Sequence, residues 1–111
     1  MNALKGQPKP APETDEKGYM TEPSTWTPDV AEILAKEQDL DKLTDDQWKV
    51  LIHMRQHYLE FGIVPPIRMI SRETGFTLRQ MKKMFPGGLA NSACKIAGIP
   101  ADAIKPSFLY P

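Results

Sequence analysis

The sequence predicts a mainly α-helical fold, a compact bundle of about five helices. Apolar residues recur at three- and four-residue spacing in separate segments from residue 28 onward. Polar residues that cap helix N-termini precede several of these segments, and glycine or proline follows most of them. Little or no sheet is therefore expected, and the 111 residues suffice for one domain with one core.

Residues 1–14 are predicted to form a flexible, proline-rich arm. They contain Pro8, Pro10 and Pro12 and few apolar side chains, so they bury too little surface to offset the entropy of ordering. The following segment, Asp-Glu-Lys-Gly-Tyr at 15–19, is typical of a turn and could close a short N-terminal β-hairpin with residues 3–7. The folded domain is predicted to span residues 15–100.

The first helix is predicted over residues 28–38. Thr27 is a suitable N-cap, and Pro28 fits the first helical position, where its missing N–H is not needed. Val30, Ile33 and Leu34 then follow at helical spacing.

The second helix is predicted to be the longest. Thr44 and Gln47 form a capping-box pattern at its start, and Gly62 is placed to end it. Between them, apolar side chains recur at three- and four-residue spacing along one helix face. The side chains of this face are Leu51, Met54, Tyr58 and Phe61.

Two shorter helices are predicted at 66–74 and 77–85. Pro66 can start the first, and the pair Thr77 and Gln80 repeats the capping-box pattern at the start of the second. Two helices joined by a short turn resemble a helix-turn-helix element.

A last helix is predicted at 89–97, before Gly98 and Pro100. Together these segments predict one core. Its predicted members are Trp48, Leu51, Met54, Tyr58, Ile67, Ile70, Met81, Phe85 and Ile96.

The predicted C-terminal tail, residues 101–111, has no helical or strand periodicity. It nevertheless ends in an apolar cluster that includes Phe108 and Tyr110, which is unusual for a tail that only confers solubility. Both side chains are therefore candidate partner-binding residues.

Cys94 is the only cysteine, so an internal disulfide is excluded. Its neighbour Lys95 could favour a thiolate, but consecutive helical residues point in different directions. Free cysteine is also among the most buried residue types, so an inert core thiol is the preferred interpretation. Cys94 remains the one candidate for a sulfur-accepting thiol.

A lone thiol and a polar N-terminus without an export signal predict a cytoplasmic protein.

His53 and His57 stand one helical turn apart, a spacing that can hold a metal ion. No third ligand is evident nearby in the sequence, so two histidines on a solvated helix face is the preferred interpretation. We expect neither a metal nor a cofactor. No segment of about 18 apolar residues occurs, so no insertion into a membrane is expected.

Charge is balanced over the whole chain but divided along it. Residues 26–61 hold eight acidic and four basic side chains, whereas residues 62–100 hold six basic and one acidic. The basic side chains are candidate partner-binding residues: Arg68, Arg72, Arg79, Lys82, Lys83 and Lys95. An acidic protein surface is a suitable partner; nucleic acid is less favoured, because six bases make a modest footprint and net charge is zero.

An ordered set of motifs resembles the DsrC/TusE family over roughly residues 15–100. The set includes the Asp-Glu-Lys-Gly-Tyr segment before Trp26, and Leu-Thr-Asp-Asp-Gln-Trp at 43–48. It continues with Pro-Ile-Arg-Met at 66–69, Phe-Pro-Gly-Gly at 85–88 and Ala-Cys-Lys-Ile-Ala-Gly-Ile-Pro at 93–100. The resemblance is specific because the motifs occur as an ordered set, in particular those at 66–69 and 93–100.

The resemblance implies a compact helical bundle with a small N-terminal hairpin and a flexible C-terminal arm. It also implies proteins that hand sulfur to other proteins through a cysteine next to last in the chain. A second family cysteine, which can pair with it, matches Cys94. Here the tail is longer and has no cysteine, and Lys105 stands close to where that thiol would align. The connection between Thr77 and Phe85 is also shorter than the family's.

These departures favour a non-enzymatic, DsrC-like adapter or accessory subunit. Its partners would be proteins of a sulfur or redox enzyme complex. Two alternatives remain open: a sulfur relay that uses Cys94 alone, and a nucleic-acid-binding regulator that uses the helix-turn-helix-like pair. The sequence does not indicate the oligomeric state.

Overall fold

A computed structural model describes residues 12–105 of the chain. These residues form five α-helices and no β-strand, which confirms the predicted fold class. The helices are α1, Pro28–Glu37; α2, Asp45–Phe61; α3, Ile67–Thr74; α4, Leu78–Met84; and α5, Cys94–Ile96. A π-helical turn, Leu89–Ala93, leads directly into α5, and short 3-10 turns occupy Pro23–Thr25 and Ala101–Ala103.

The helix starts follow the predicted capping chemistry. The Oγ1 of Thr44 accepts a hydrogen bond from the backbone N–H of Gln47 at 3.1 Å, and the Gln47 side chain accepts one from the N–H of Thr44 at 2.8 Å. Thr77 and Gln80 make the same reciprocal pair at 3.1 and 2.7 Å. Each pair satisfies two backbone donors that a helix N-terminus otherwise leaves free.

The N-terminal turn is shorter than a hairpin. Thr14 and Met20 form one antiparallel bridge. The carboxylate of Asp15 accepts hydrogen bonds from the backbone N–H groups of Lys17 and Tyr19, at 2.9 and 3.0 Å, and so closes the turn. The predicted partner strand, residues 3–7, lies outside the described residues, as does most of the predicted arm.

The core lies where α2 packs against α3, α4 and α5, and α1 packs against α5. Most of the predicted core residues are buried in it: Leu51, Met54, Ile70, Met81, Phe85 and Ile96. Trp48, Tyr58 and Ile67 are only partly buried and pack against its edge. Phe61, the last residue of α2, continues the apolar spacing of this helix but is 61% exposed.

The short segment after Pro100, residues 101–105, contacts the bundle. Ala103 is buried, and its carbonyl accepts a hydrogen bond from the N–H of Val64 at 3.1 Å. Phe108 and Tyr110 lie outside the described residues. Within residues 12–105, no helix is long and apolar enough to cross a bilayer.

Candidate functional site

Cys94, the one thiol, is the first residue of α5 and is fully buried. Burial raises the pKa of the Cys94 thiol well above its ordinary range, because the charged thiolate would lose its hydration. Only the thiolate is an effective nucleophile, so this environment makes Cys94 unreactive while the helix stays in place.

The π-helical turn explains how Cys94 reaches the core. The N–H of Cys94 donates to the carbonyl of Leu89, five residues earlier, instead of to the residue four positions back. Ala93, Ile96 and Ala97 around it are fully buried as well. The thiol is therefore one member of a continuous apolar layer.

Trp26 and Arg55 bind the end of the helix that carries Cys94, an arrangement named here the α5 clamp. The indole Nε1–H of Trp26 donates to the carbonyl of Ile96 at 2.8 Å. The Nη1 of Arg55 donates to the carbonyls of Ala97 at 2.9 Å and of Gly98 at 3.4 Å. Carbonyls at a helix C-terminus have no partner within the helix, so the clamp supplies their missing donors.

Arg55 also connects the clamp to the segment before α1. Its Nη2 donates to the carbonyl of Pro23 at 2.9 Å. Burial lowers the pKa of Arg55, but a guanidinium stays charged at any physiological pH. A buried cation is thus satisfied mainly by backbone oxygens and by an aromatic ring.

Gly98 is required by the clamp. A Cβ at this position would lie 2.3 Å from Cδ1 of Trp26 and 2.9 Å from Nη1 of Arg55, and the backbone φ is +71°. Only glycine combines that conformation with so close an approach.

Lys95 contacts the N-terminal turn, in keeping with the expectation that neighbouring helical residues point in different directions. Its Nζ lies 5.2 Å from the ring centroid of Tyr19, and its stem packs on Gly18. The hydroxyl of Tyr19 donates to the carbonyl of Ala90 at 3.1 Å, and burial raises the pKa of this phenol. Lys95 and Tyr19 therefore join the N-terminal turn to the segment around Cys94.

The other predicted basic residues are exposed on two consecutive helices. Arg68 and Arg72 stand one turn apart on α3. Arg79, Lys82 and Lys83 share one face of α4, because residues three and four apart are neighbours on a helix. These five side chains are named here the basic face; Lys95 belongs instead to the contact with Tyr19.

The two histidines face a surface cavity of about 370 Å³ between α2 and α3. His53 Nε2 lies 2.7 Å from Oε1 of Glu73, a partner that the sequence did not reveal. This contact is the largest of the causes that lower the pKa of Glu73. His57 Nδ1 donates to the carbonyl of Ile63 at 3.0 Å. Within residues 12–105, no three His, Cys, Asp or Glu side chains converge as metal ligands do.

Sequence reasoning missed the supporting role of Tyr19, Trp26 and Arg55. Arg55 carried a usable signal, because a charged residue stands four positions after Leu51 within an apolar helix face. A charge at such a position is normally buried with partners.

The fold and site define a small helical protein whose single thiol is buried beneath a clamped helix. A family model described as "DsrC like protein" matches residues 7–104. The chain belongs to the DsrC/TusE family of sulfur-relay proteins, as its motifs suggested.

Two curated relatives represent the two branches. The gamma subunit of dissimilatory-type sulfite reductase from Nitratidesulfovibrio vulgaris (strain Hildenborough) is 32% identical over 88 residues, covering 79% of this chain and 84% of that protein. Sulfurtransferase TusE of Escherichia coli (strain K12) is 36% identical over 95 residues, covering 79% of this chain and 86% of that protein.

Solved structures agree with this assignment. The oxidised gamma subunit of dissimilatory sulfite reductase (DsrC) from Archaeoglobus fulgidus has a TM-score of 0.74 at 33% identity, covering 79% of this chain and 86% of that one. The solution structure of DsrC from Pyrobaculum aerophilum has a TM-score of 0.70 at 42% identity, covering 78% of this chain and 79% of that one.

Proposed function

We propose that this protein is a non-enzymatic adapter or accessory subunit of a sulfur or redox enzyme complex. The observation that carries the proposal is the complete burial of Cys94, the one thiol of the chain. A sulfur carrier must present its thiolate to the active sites of two proteins in turn. A buried, protonated thiol beneath a clamped helix does not meet that requirement.

The basic face is proposed as the docking surface for an acidic patch on the partner. Its five side chains are exposed on α3 and α4, and Glu73, the one acidic residue on these two helices, is held by His53. Opposite charges across an interface speed association and select the partner. Phe108 and Tyr110 of the tail are proposed as a second, apolar contact.

A pull-down from the native cell tests the docking surface. We expect the partner to be retained by the wild-type chain and lost from an Arg79→Glu/Lys82→Glu/Lys83→Glu variant. A Lys36→Glu/Lys42→Glu variant is the matched control, because these exposed lysines lie at the end of α1 and just beyond it. Equal retention by both variants would exclude the basic face as the docking surface.

The second candidate function is a sulfur relay that uses Cys94 alone. It is supported by the curated name "sulfurtransferase" of the TusE relatives. Such a relay requires α5 to open so that the thiol can take a sulfur atom from a partner's persulfide.

Mass spectrometry after incubation with a persulfidated donor separates the two functions. The adapter predicts no mass change at Cys94 in the native chain. Stable addition of one sulfur atom, absent in a Cys94→Ala variant, would replace the adapter with the relay.

A further inference from the structure

The cavity between α2 and α3 has a lining that the proposed function does not use. Its volume of about 370 Å³ is enough to admit one long side chain. Glu60 and Phe61 line it from the end of α2, and Met69 and Glu73 line it from α3. The cavity therefore combines two carboxylates with an aromatic ring and a thioether.

The aromatic wall of the cavity is both exposed and held in place. Phe61 is 61% exposed although it is a large apolar residue. Its ring centroid lies 4.6 Å from that of His57, with the two planes inclined at 42°. His57 is itself fixed by the hydrogen bond from its Nδ1 to the carbonyl of Ile63. Phe61 thus presents an oriented ring, and the face of such a ring attracts a cation.

The acidic groups of the cavity are ionised at neutral pH. The hydrogen bond from His53 is the main cause that lowers the pKa of Glu73. The side chain of Glu73 is nevertheless 49% exposed, so its carboxylate can accept further hydrogen bonds. Glu60 is exposed at the same cavity.

No cation of the described residues fills the cavity. Neither lysine nor arginine is among the lining side chains of residues 12–105. Arg72, which contributes to the lowered pKa of Glu73, belongs to the basic face and does not line the cavity. Lys49 lines a neighbouring depression, and its Nζ lies 5.6 Å from the ring centroid of Phe76. The charge of the two carboxylates is therefore available to a cation from outside.

We propose that this cavity binds an arginine side chain of a partner protein. A guanidinium is planar, stacks on aromatic rings and donates several hydrogen bonds to carboxylates, whereas its aliphatic stem suits Met69 and Phe61. Free arginine fits less well, because its own carboxylate would be repelled by Glu60 and Glu73. The inference does not depend on the proposed function, since the residues involved are distinct from the basic face.

Titration of the full chain with a blocked peptide, acetyl-Gly-Arg-Gly-amide, tests the proposal by nuclear magnetic resonance. Its guanidinium is its one charged group. We expect saturable shifts centred on the ring protons of Phe61, the methyl group of Met69 and the amide of Glu73. The same peptide with citrulline in place of arginine keeps the shape and loses the charge, so it should bind more weakly, as should free L-arginine.

A pair of double variants locates the binding. Glu60→Gln/Phe61→Ala should raise the dissociation constant of the arginine peptide at least about threefold, because it removes one carboxylate and the aromatic face. The matched control is Glu37→Gln/Leu59→Ala, which removes an exposed carboxylate and an exposed apolar side chain that do not line the cavity. It should leave the dissociation constant unchanged. All four substitutions are at exposed positions, and far-ultraviolet circular dichroism verifies that both variants keep the fold.

Three results would overturn the proposal. Shifts that do not saturate, or that the citrulline peptide reproduces at equal concentration, would show that the guanidinium is not recognised. Tighter binding of free L-arginine would assign the cavity to an amino acid instead of a partner protein. Equal dissociation constants for the two double variants would place the peptide elsewhere on the surface.

Discussion

The guanidinium of Arg55 lies 4.3 Å from the ring centroid of Trp26, and the two side chains together donate to three successive carbonyls at the end of α5. The aromatic face stabilises the cation, while both groups satisfy oxygens that would otherwise be buried without donors. Trp26 and Arg55, which are both distant from Cys94 in the sequence, thus hold the helix on which Cys94 lies.

Loss of Arg55 should be costly for stability. Arg55→Ala leaves carbonyl oxygens without donors and opens space beside Trp26, so we expect the free energy of unfolding to fall by roughly 3 kcal/mol. Urea denaturation measures this change. Arg72→Ala, an exposed arginine on α3, is the control and should change stability by less than about 0.5 kcal/mol. Similar values for the two variants would mean that the clamp contributes little.

Gly98→Ala should destabilise the protein more than Gly75→Ala. Both glycines have positive φ, but a Cβ at Gly75 has no heavy atom within 4 Å, whereas a Cβ at Gly98 meets Trp26. Placing an alanine in the left-handed backbone region costs about 1–2 kcal/mol at either site. Overpacking adds a further cost of about 1–3 kcal/mol at Gly98. Thermal or urea unfolding of the two variants should show this difference, and equal losses would contradict the described approach to the indole.

Leu51→Ala should lower the free energy of unfolding by roughly 2–5 kcal/mol, because Leu51 is fully buried in α2. Leu59→Ala is the matched control on the same helix, since Leu59 is 62% exposed and its truncation opens no cavity. A loss below about 0.5 kcal/mol at Leu51 would indicate that the buried face of α2 is misassigned.

The native thiol should react slowly. Alkylation of Cys94 near pH 7 is expected to be at least about a hundredfold slower than in the unfolded chain, since it must await local opening of α5. Rates followed by mass spectrometry test this expectation. Alkylation at the rate of a free thiol would show that Cys94 is accessible and would favour the relay.

Burial of this thiol also makes stability depend on pH. Its pKa is raised in the folded state, so above the ordinary thiol value of 9.0 the unfolded chain loses a proton that the folded chain keeps. Stability is therefore full below that pH and falls above it, by at most about 1.4 kcal/mol per pH unit. Unfolding measured between pH 7 and pH 10 should show a steeper fall in the wild type than in Cys94→Ala. Parallel curves would contradict a buried, protonated thiol.

Sequence-specific DNA binding is expected to be weak or absent, because the net charge is zero and the basic face is small. Fluorescence anisotropy with labelled duplexes at physiological salt measures it. Nanomolar binding that Arg79→Ala/Lys82→Ala abolishes would support a regulator instead.

Local chemistry explains why the helices could be predicted. Two helices start with capping boxes, Thr44 with Gln47 and Thr77 with Gln80, whose hydrogen bonds lie within four residues. Both partners of each hydrogen bond are therefore visible in the local sequence. Phe61 shows the limit of such reasoning: it continues the apolar repeat of α2, yet the helix passes the edge of the core one turn earlier.

The site could be predicted only in part. The sequence presents Cys94 as the one thiol. How deeply its side chain is buried depends on the π-helical turn, which arises from tertiary packing and not from a local pattern. The contacts of Arg55 with Ala97 and of Tyr19 with Ala90 join residues 42 and 71 positions apart. Such pairs have no local signal in a single sequence.

The α5 clamp also constrains when the protein can fold during its synthesis. The hydrogen bond from Trp26 to Ile96 spans 70 positions, and the N-terminal turn joins Ala90 across a similar separation. While the ribosome still encloses α5, the apolar faces of α1 and α2 have no partner from that helix. The native core therefore closes only after residues 96–98 emerge from the exit tunnel, and folding follows translation of the bundle instead of accompanying it.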